Sequence, residues 1–294
     1  MDLDDLRALV VVVETRSFSA AAQRLGSPRA TLRRRIDALE AVTGIPLLDR
    51  TASGPLPTEA GLTLVARARD LLLEADAVLR SVRGLHLGPA GSLTVTLPVG
   101  LPPVLLRLAY ESIHQQFPEL RFEARFATNP LLHELEGVDV VVHWGAEGPT
   151  GAWSTVRLVE AREWCVASPS YLAQHGCPVS IDELRTHALL AWMAPGRDPV
   201  QWPLIAGGSV EVRPRLVVGD VHMLRHLAAG GVGIALLPDG ELPNAEIPPD
   251  AVQVVMDDVI GTVTPFCLSY RTAMAEVPRV RAIVDLLRAF TAMI

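Results

Sequence analysis

The stretch SFSAAAQRLGSPRATLRRRIDALE, Ser17 to Glu40, decides how the rest of the chain is read. It spells two short helices around a tight turn. Ser19 is placed to cap a first helix through Ala20, Ala21, Ala22 and Leu25, and Gly26 breaks it. Ser27 then caps a second helix with Pro28 at its first position, since a serine oxygen accepts from orphan amides and proline needs no partner there. Leu32, Ile36 and Leu39 fall at i, i+4 and i+7 and define one buried face. Arg29, Arg33, Arg34 and Arg35 fill much of the remainder, and from Arg24 to Arg35 there are five arginines and no acid. Helix, glycine turn and cationic helix make the plan of a helix-turn-helix, whose second helix enters the major groove of DNA. Taken alone, the segment fits an ordinary basic helical hairpin equally well.

The charge distribution favours the nucleic-acid reading. The chain of 294 residues carries a net charge of −7, which argues against a polyanionic partner at first sight. Residues 1–58, however, hold eight arginines against seven acids, a balance of +1, so the remainder carries −8. What groove binding needs is positive charge concentrated on one element, and the second helix supplies it. Every basic residue is arginine, and lysine is absent. The opening MDLDDL is acidic, unlike a secretory signal, and the apolar run ALVVVV is too short to span a bilayer. A cytoplasmic protein with no membrane partner is expected. Cys165, Cys177 and Cys267 match no zinc or disulfide pattern; a redox pair between Cys165 and Cys177 is the one alternative to inert thiols.

Outward from the opening stretch, Asp2 to Glu14 reads as a helix with Leu3, Leu6, Leu9, Val10 and Val13 inward. IPLLDR and PLPT bracket TASG as a two-stranded wing. Thr58 is placed to cap a long helix from Glu59 to about Leu87. Along it Val65, Ala68, Leu72, Ala75, Leu79 and Val82 step by three and four, a heptad seam that predicts dimerisation. GLHLGPAGS, Gly84 to Ser92, is a linker. From Gly91 onward strands alternate with helices, with TVRLV and EWCVAS among the separate strands. That alternation implies an α/β region with mostly parallel sheets, enough for two lobes around a ligand cleft.

No constellation points to catalysis. In AGGVGIALLP, Ala229 to Pro238, the glycines end a helix and open a strand, the reverse of a dinucleotide fingerprint. His222 and His226 stand at i, i+4 on one helix, but no third ligand accompanies them in sequence. No metal, cofactor or catalytic residue is therefore expected. An enzyme using the cleft, or a solute-binding component built on the C-terminal half, are the competing classes.

Together these strings closely resemble a LysR-type transcriptional regulator along essentially the whole chain. LVVVVETRSFSAAAQRL, IDALEAVTGIPLLDR and TEAG carry the likeness in the first part. GSLTV, FPELRFE, VDVVVHWG, VASPSYL, DELRTHALL and AGGVGIALLP follow in the family's order. The resemblance implies an α/β protein with an N-terminal winged helix-turn-helix over 1–58 and a dimerising linker helix and hinge over 59–90. A two-lobed, periplasmic-binding-protein-like effector domain over 91–294 would follow, with lobe I at about 91–160 and 266–294 and lobe II at about 161–265. It also implies a homodimer or homotetramer on an interrupted inverted repeat of double-stranded DNA, switched by a small molecule between the lobes.

The departures from the family are specific. Its recognition helix usually begins Ser-Gln-Pro-Ala-Val-Ser, where this chain has Pro28, Arg29, Ala30, Thr31, Leu32 and Arg33. Arg29 replaces a base-reading glutamine, and arginine bridges two acceptors on guanine where glutamine suits adenine. The expected DNA contacts are Ser27, Arg29, Ala30, Thr31, Arg33, Arg34 and Arg35, with Arg50 before a wing that lacks other basic residues. After the first effector strand the connection LPVG is short and has no hydroxyl, so a carboxylate effector anchored there is disfavoured. By position, the cleft candidates are Pro98, Val99, Gly100, Thr128, Asn129, His143, Trp144, Trp192, Asp220 and His222. The two tryptophans suggest flat apolar walls and a weakly aromatic or apolar effector.

Overall fold

The structure, a computed structural model, describes residues 2–51, 54–86, 91–101, 103–132, 135–238 and 247–291. The chain divides into two compact units, one of residues 1–80 with 150–152 and one of residues 81–149 with 153–294.

In the first unit, α1 (Leu3–Thr15), α2 (Phe18–Leu25) and α3 (Arg29–Thr43) precede a hairpin of β1 (Leu48–Thr51) and β2 (Gly54–Pro57), and α4 (Glu59–His86) follows. Asp2 and Asp5 form a reciprocal capping box on α1. The caps of the next two helices differ from expectation. Ser17, not Ser19, caps α2, its hydroxyl accepting from the Ala20 amide, so Ser19 lies inside the helix. Pro28 occupies the cap position of α3, and no side chain caps that helix. Ser27 is thus displaced from the role the sequence assigned it, because α3 starts one residue later than a Ser27 cap requires.

Leu6, Leu9, Val12, Ala21, Leu32, Ile36, Leu39 and Leu47 form the core of this unit. Glu40 ties the end of α3 to the wing by accepting from the amides of Leu47 and Leu48 at 2.7 and 3.1 Å. Gly61 lets α4 lie directly on the Leu47 carbonyl, since a Cβ there would collide with that oxygen. The close seating draws the start of α4 into the core. Val65 and Ala68 are buried in it and Leu72 packs on it, so half of the expected seam faces inward. A three-four apolar rhythm does not distinguish a partner helix from the helix's own domain.

The second unit contains one mixed sheet in the order β10-β7-β11-β6-β13-β5-β3-β4, with β12 also paired to β6. Its strands are β3 (Gly91–Pro98), β4 (Leu120–Ala127), β5 (Val140–Trp144), β6 (Trp153–Ala167) and β7 (Leu189–Trp192). β8 (Gln201–Pro203) and β9 (Ser209–Glu211) form a separate hairpin. The sheet continues with β10 (Leu216–Val218), β11 (Ile234–Pro238), β12 (Gln253–Val255) and β13 (Thr262–Arg271). The helices are α5 (Pro103–Gln116), α6 (Pro169–His175), α7 (Ile181–Leu184), α8 (Val221–Ala229) and α9 (Pro278–Thr291). Pairs around β3 and β7 are parallel, whereas every pair involving β6 or β13 is antiparallel. The expected mostly parallel sheet is therefore mixed, and TVRLV and EWCVAS are one continuous strand, β6. One end of β6 pairs with the β5-facing half of β13, and its other end pairs with β11 and β12. β6 and β13 thereby run from one lobe into the other, with a register shift between Phe266 and Cys267.

Candidate functional site

Of the five arginines from Arg24 to Arg35, two are held inside the first unit. Arg24 pairs with Glu14 at 2.9 Å, which also holds Arg69 at 3.0 Å. Arg35 donates to Asp2, Asp4 and Asp5 at 3.2, 3.0 and 3.4 Å, clamping α3 to the first turn of α1. The Asp5 amide, aided by Arg35, holds the Asp2 carboxyl below the usual range. Arg35 thus serves as a strut, and its expected place in a DNA-contacting set is the least supported of the group.

Arg29, Arg33 and Arg34 remain exposed, and none forms an ion pair with a described residue. With Phe18, Ala30 and Asp37 they line a surface depression of about 480 Å³. The Arg33 guanidinium lies 5.3 Å from the Phe18 ring centre, a cation–π contact that braces it against α2. Thr31 is half-buried on the same helix. With no side chain capping α3, its first amides and positive dipole end stand beside Arg29. The backbone of Arg50 lies on β1, but its side chain is outside the described residues.

In the second unit several expected cleft residues gather at the start of α8. Gly100 has φ +88°, and a Cβ there would stand 2.6 Å from the Val221 amide nitrogen and 3.2 Å from that of His222. The turn after β3 is therefore seated directly on the α8 N-terminus, which Asp220 caps by accepting from the Met223 amide. Pro98 and Val99 lead into this turn, and Thr128 packs against Gly219. Asn129 closes its own turn by accepting from the Leu131 amide at 3.1 Å.

Trp144, at the end of β5, and Trp192, at the end of β7, meet edge to face at 5.6 Å across the two lobes. Phe266 joins them, 4.6 Å from Trp144, a partner not picked out from the sequence. His143 is not part of this group. Successive strand residues face opposite sides, so His143 and Trp144 cannot both point at one cleft. His143 is fully buried, shares a 2.8 Å hydrogen bond with the Ser269 hydroxyl, and is held below its ordinary pKa by burial. Ser269 is in turn bonded to the Thr155 hydroxyl at 2.8 Å.

Cys165 is wholly buried, and burial beside Glu163 pushes its thiol far up, away from the reactive thiolate. Cys177 is exposed and Cys267 buried; all three thiols are free. Glu163 is itself buried, accepting from Arg197 at 2.6 Å and from Thr264 at 2.8 Å.

The sequence matches two family models, the bacterial regulatory helix-turn-helix protein of the lysR family over residues 3–62 and the LysR substrate binding domain over residues 86–292. The chain belongs to the LysR family of transcriptional regulators. The regulator is 28% identical to CrgA of Neisseria meningitidis over 97% of this chain and 95% of that protein. It is 30% identical to an HTH-type transcriptional regulator of Xanthomonas campestris, covering 97% of this chain and 84% of the other. The solved CrgA structure superposes with a TM-score of 0.61 at 26% identity, covering 99% of each chain. Full-length AphB of Vibrio cholerae shares the fold, with a TM-score of 0.61 at 24% identity over 98% of this chain. This LysR-type protein is accordingly a DNA-binding regulator with an effector-binding domain, and not an enzyme. Among the described residues no helix is long and apolar enough to cross a membrane.

Proposed function

We propose that this regulator lays α3 in the major groove of an interrupted inverted repeat in the cytoplasm. Arg29 and Arg33 read bases, and Arg34 with the uncapped start of α3 holds phosphate. The observation that carries the reading is the trio Arg29, Arg33 and Arg34, without acid partners among the described residues and set around one open depression, while Arg24 and Arg35 are engaged in internal pairs. Unpaired arginines concentrated on one helix are the electrostatic footprint of duplex binding. A fork of guanidinium donors at position 29 fits the two acceptors of guanine. Selection from random duplexes with the full chain is expected to enrich half-sites with a G·C pair in the core. Half-sites without G·C would remove Arg29 from the reading role, and no binding at low salt would overturn the placement of α3.

The effector is assigned to the junction of Trp144, Trp192 and Phe266, where the walls are apolar and aromatic. Gly100 fills the space before α8 that would otherwise suit a carboxylate, which supports an apolar or aromatic ligand. In a thermal-shift screen, aromatic neutral compounds are expected to stabilise the protein; stabilisation by small polar acids alone would overturn this assignment. Self-association is assigned to the face of α4 on which Leu71, Val78, Leu79 and Val82 are exposed. Dimers on this face, paired into tetramers, match a two-fold repeat in the DNA.

A further inference from the structure

The spacing of His222 and His226 shows that their rings share a helix face, but not how their lone pairs are directed. Their Nε2 atoms lie 3.2 Å apart, with ring centres 4.7 Å apart and planes at 87°. A head-on N–H···N bond of that length would hold the ring centres about 5.5 Å apart, given the size of an imidazole. The observed centres are nearer, so the two rings are bent away from a head-on bond. Two nitrogens about 2.0–2.1 Å from one tetrahedral ion are separated by about 3.3 Å, close to the separation found here. Both histidines are half-buried on α8, a nine-residue helix whose Leu224 and Ala228 are buried. The clamp is therefore preformed, with little rotamer freedom left to lose.

We propose that His222 and His226 form a two-imidazole site for a borderline first-row divalent cation, such as Zn²⁺ or Cu²⁺. Imidazole nitrogen selects these ions over Mg²⁺ and Ca²⁺, which require oxygen ligands. Among the described residues no third histidine, cysteine or carboxylate completes the set. Arg225, on the same helix face by spacing, has its Nε buried without a hydrogen-bond partner. Its charge opposes a bare dication and favours one carrying an anionic third ligand. For both Nε2 atoms to bind the ion, the Nε2 proton of the donor ring moves to that ring's Nδ1, so that each neutral ring carries its proton at Nδ1.

The site is tested by calorimetric titration of the full chain, stripped of metal, with Zn²⁺. The expected result is one ion per chain that both H222A and H226A lose, with no binding of Mg²⁺. Electron paramagnetic resonance of the Cu²⁺-loaded wild type provides a second reading, independent of how the variants fold. It is expected to show two equivalent imidazole nitrogens. Equal Zn²⁺ stoichiometry in wild type and both variants, or a Cu²⁺ spectrum with fewer than two such nitrogens, overturns the proposal. Neither measurement involves DNA, so its failure is separate from any failure of the operator reading.

Discussion

Arg29 carries the sharpest consequence of a single side chain. Arg29→Gln is expected to move preference at one base pair from guanine toward adenine, by about 1–3 kcal/mol for a lost bidentate contact. Arg34→Ala should instead weaken all sequences alike and reduce the salt slope by about 1. Competition binding at several salt concentrations separates the two behaviours. At Gly100, substitution by alanine places a methyl group against the Val221 amide in a left-handed conformation. That conformation alone costs about 1–2 kcal/mol, so thermal denaturation should show a lowered melting temperature for the effector unit. His143 makes stability depend on pH. Burial lowers its pKa, so the unfolded chain takes up this proton more readily than the folded one. The contribution is fully present above the ordinary value of 6.5 and is lost as pH falls toward the lower folded pKa. His143→Gln should accordingly flatten the fall in melting temperature on the acid side of 6.5.

At this scale the sequence was legible where chemistry is local and opaque where it depends on direction. The arginine cluster could be read directly, but which arginines stay free could not. Arg35 faces Asp2, Asp4 and Asp5 only because α1 packs across α3. The serine cap of α2 was legible as a residue type and misplaced by position, since Ser17 and Ser19 offer the same oxygen two residues apart, whereas the cap expected from Ser27 does not form. His143 and Trp144 were grouped by proximity in sequence, although a strand sends neighbours to opposite faces.

Among the elements, α4 shows most clearly what a periodicity leaves undecided. Its apolar residues serve two customers, the domain core through Val65, Ala68 and Leu72, and solvent-facing positions through Leu71, Val78, Leu79 and Val82. Leu79→Glu combined with Val82→Glu leaves the core residues untouched. Sedimentation of this double variant is expected to show a smaller assembly with unchanged helicity, whereas an unchanged assembly would place self-association elsewhere. Ala68→Glu should instead unfold the DNA-binding unit, because it buries a charge within that core. The wing was readable, because turn chemistry is written in a few adjacent residues. β7, β8, β9, β10 and β12 were not picked out as strands; most are short, and tertiary pairing rather than alternation defines them.

For the whole molecule, the division into a helix-turn-helix, a long helix and a two-lobed α/β region was visible in composition and order. Sheet direction was not, because parallel and antiparallel pairing depend on where a strand returns, and β6 and β13 return through both lobes. A chain ending before Thr262 would leave β5 and β6 without the strand between them. Limited proteolysis of such a chain is expected to spare the first unit and digest the second entirely, with neither lobe surviving alone.

The placement of β13 also sets an order in time. The strand that joins β5 to β6 is complete only when the ribosome has delivered Arg271, whereas nearly all of the first unit has been made by Arg80. At about 5–20 residues per second, that interval lasts roughly 10–40 s. During each round of synthesis the newborn regulator thus holds a finished DNA-binding head before it has any means of sensing, and premature termination would release such heads permanently uncontrolled.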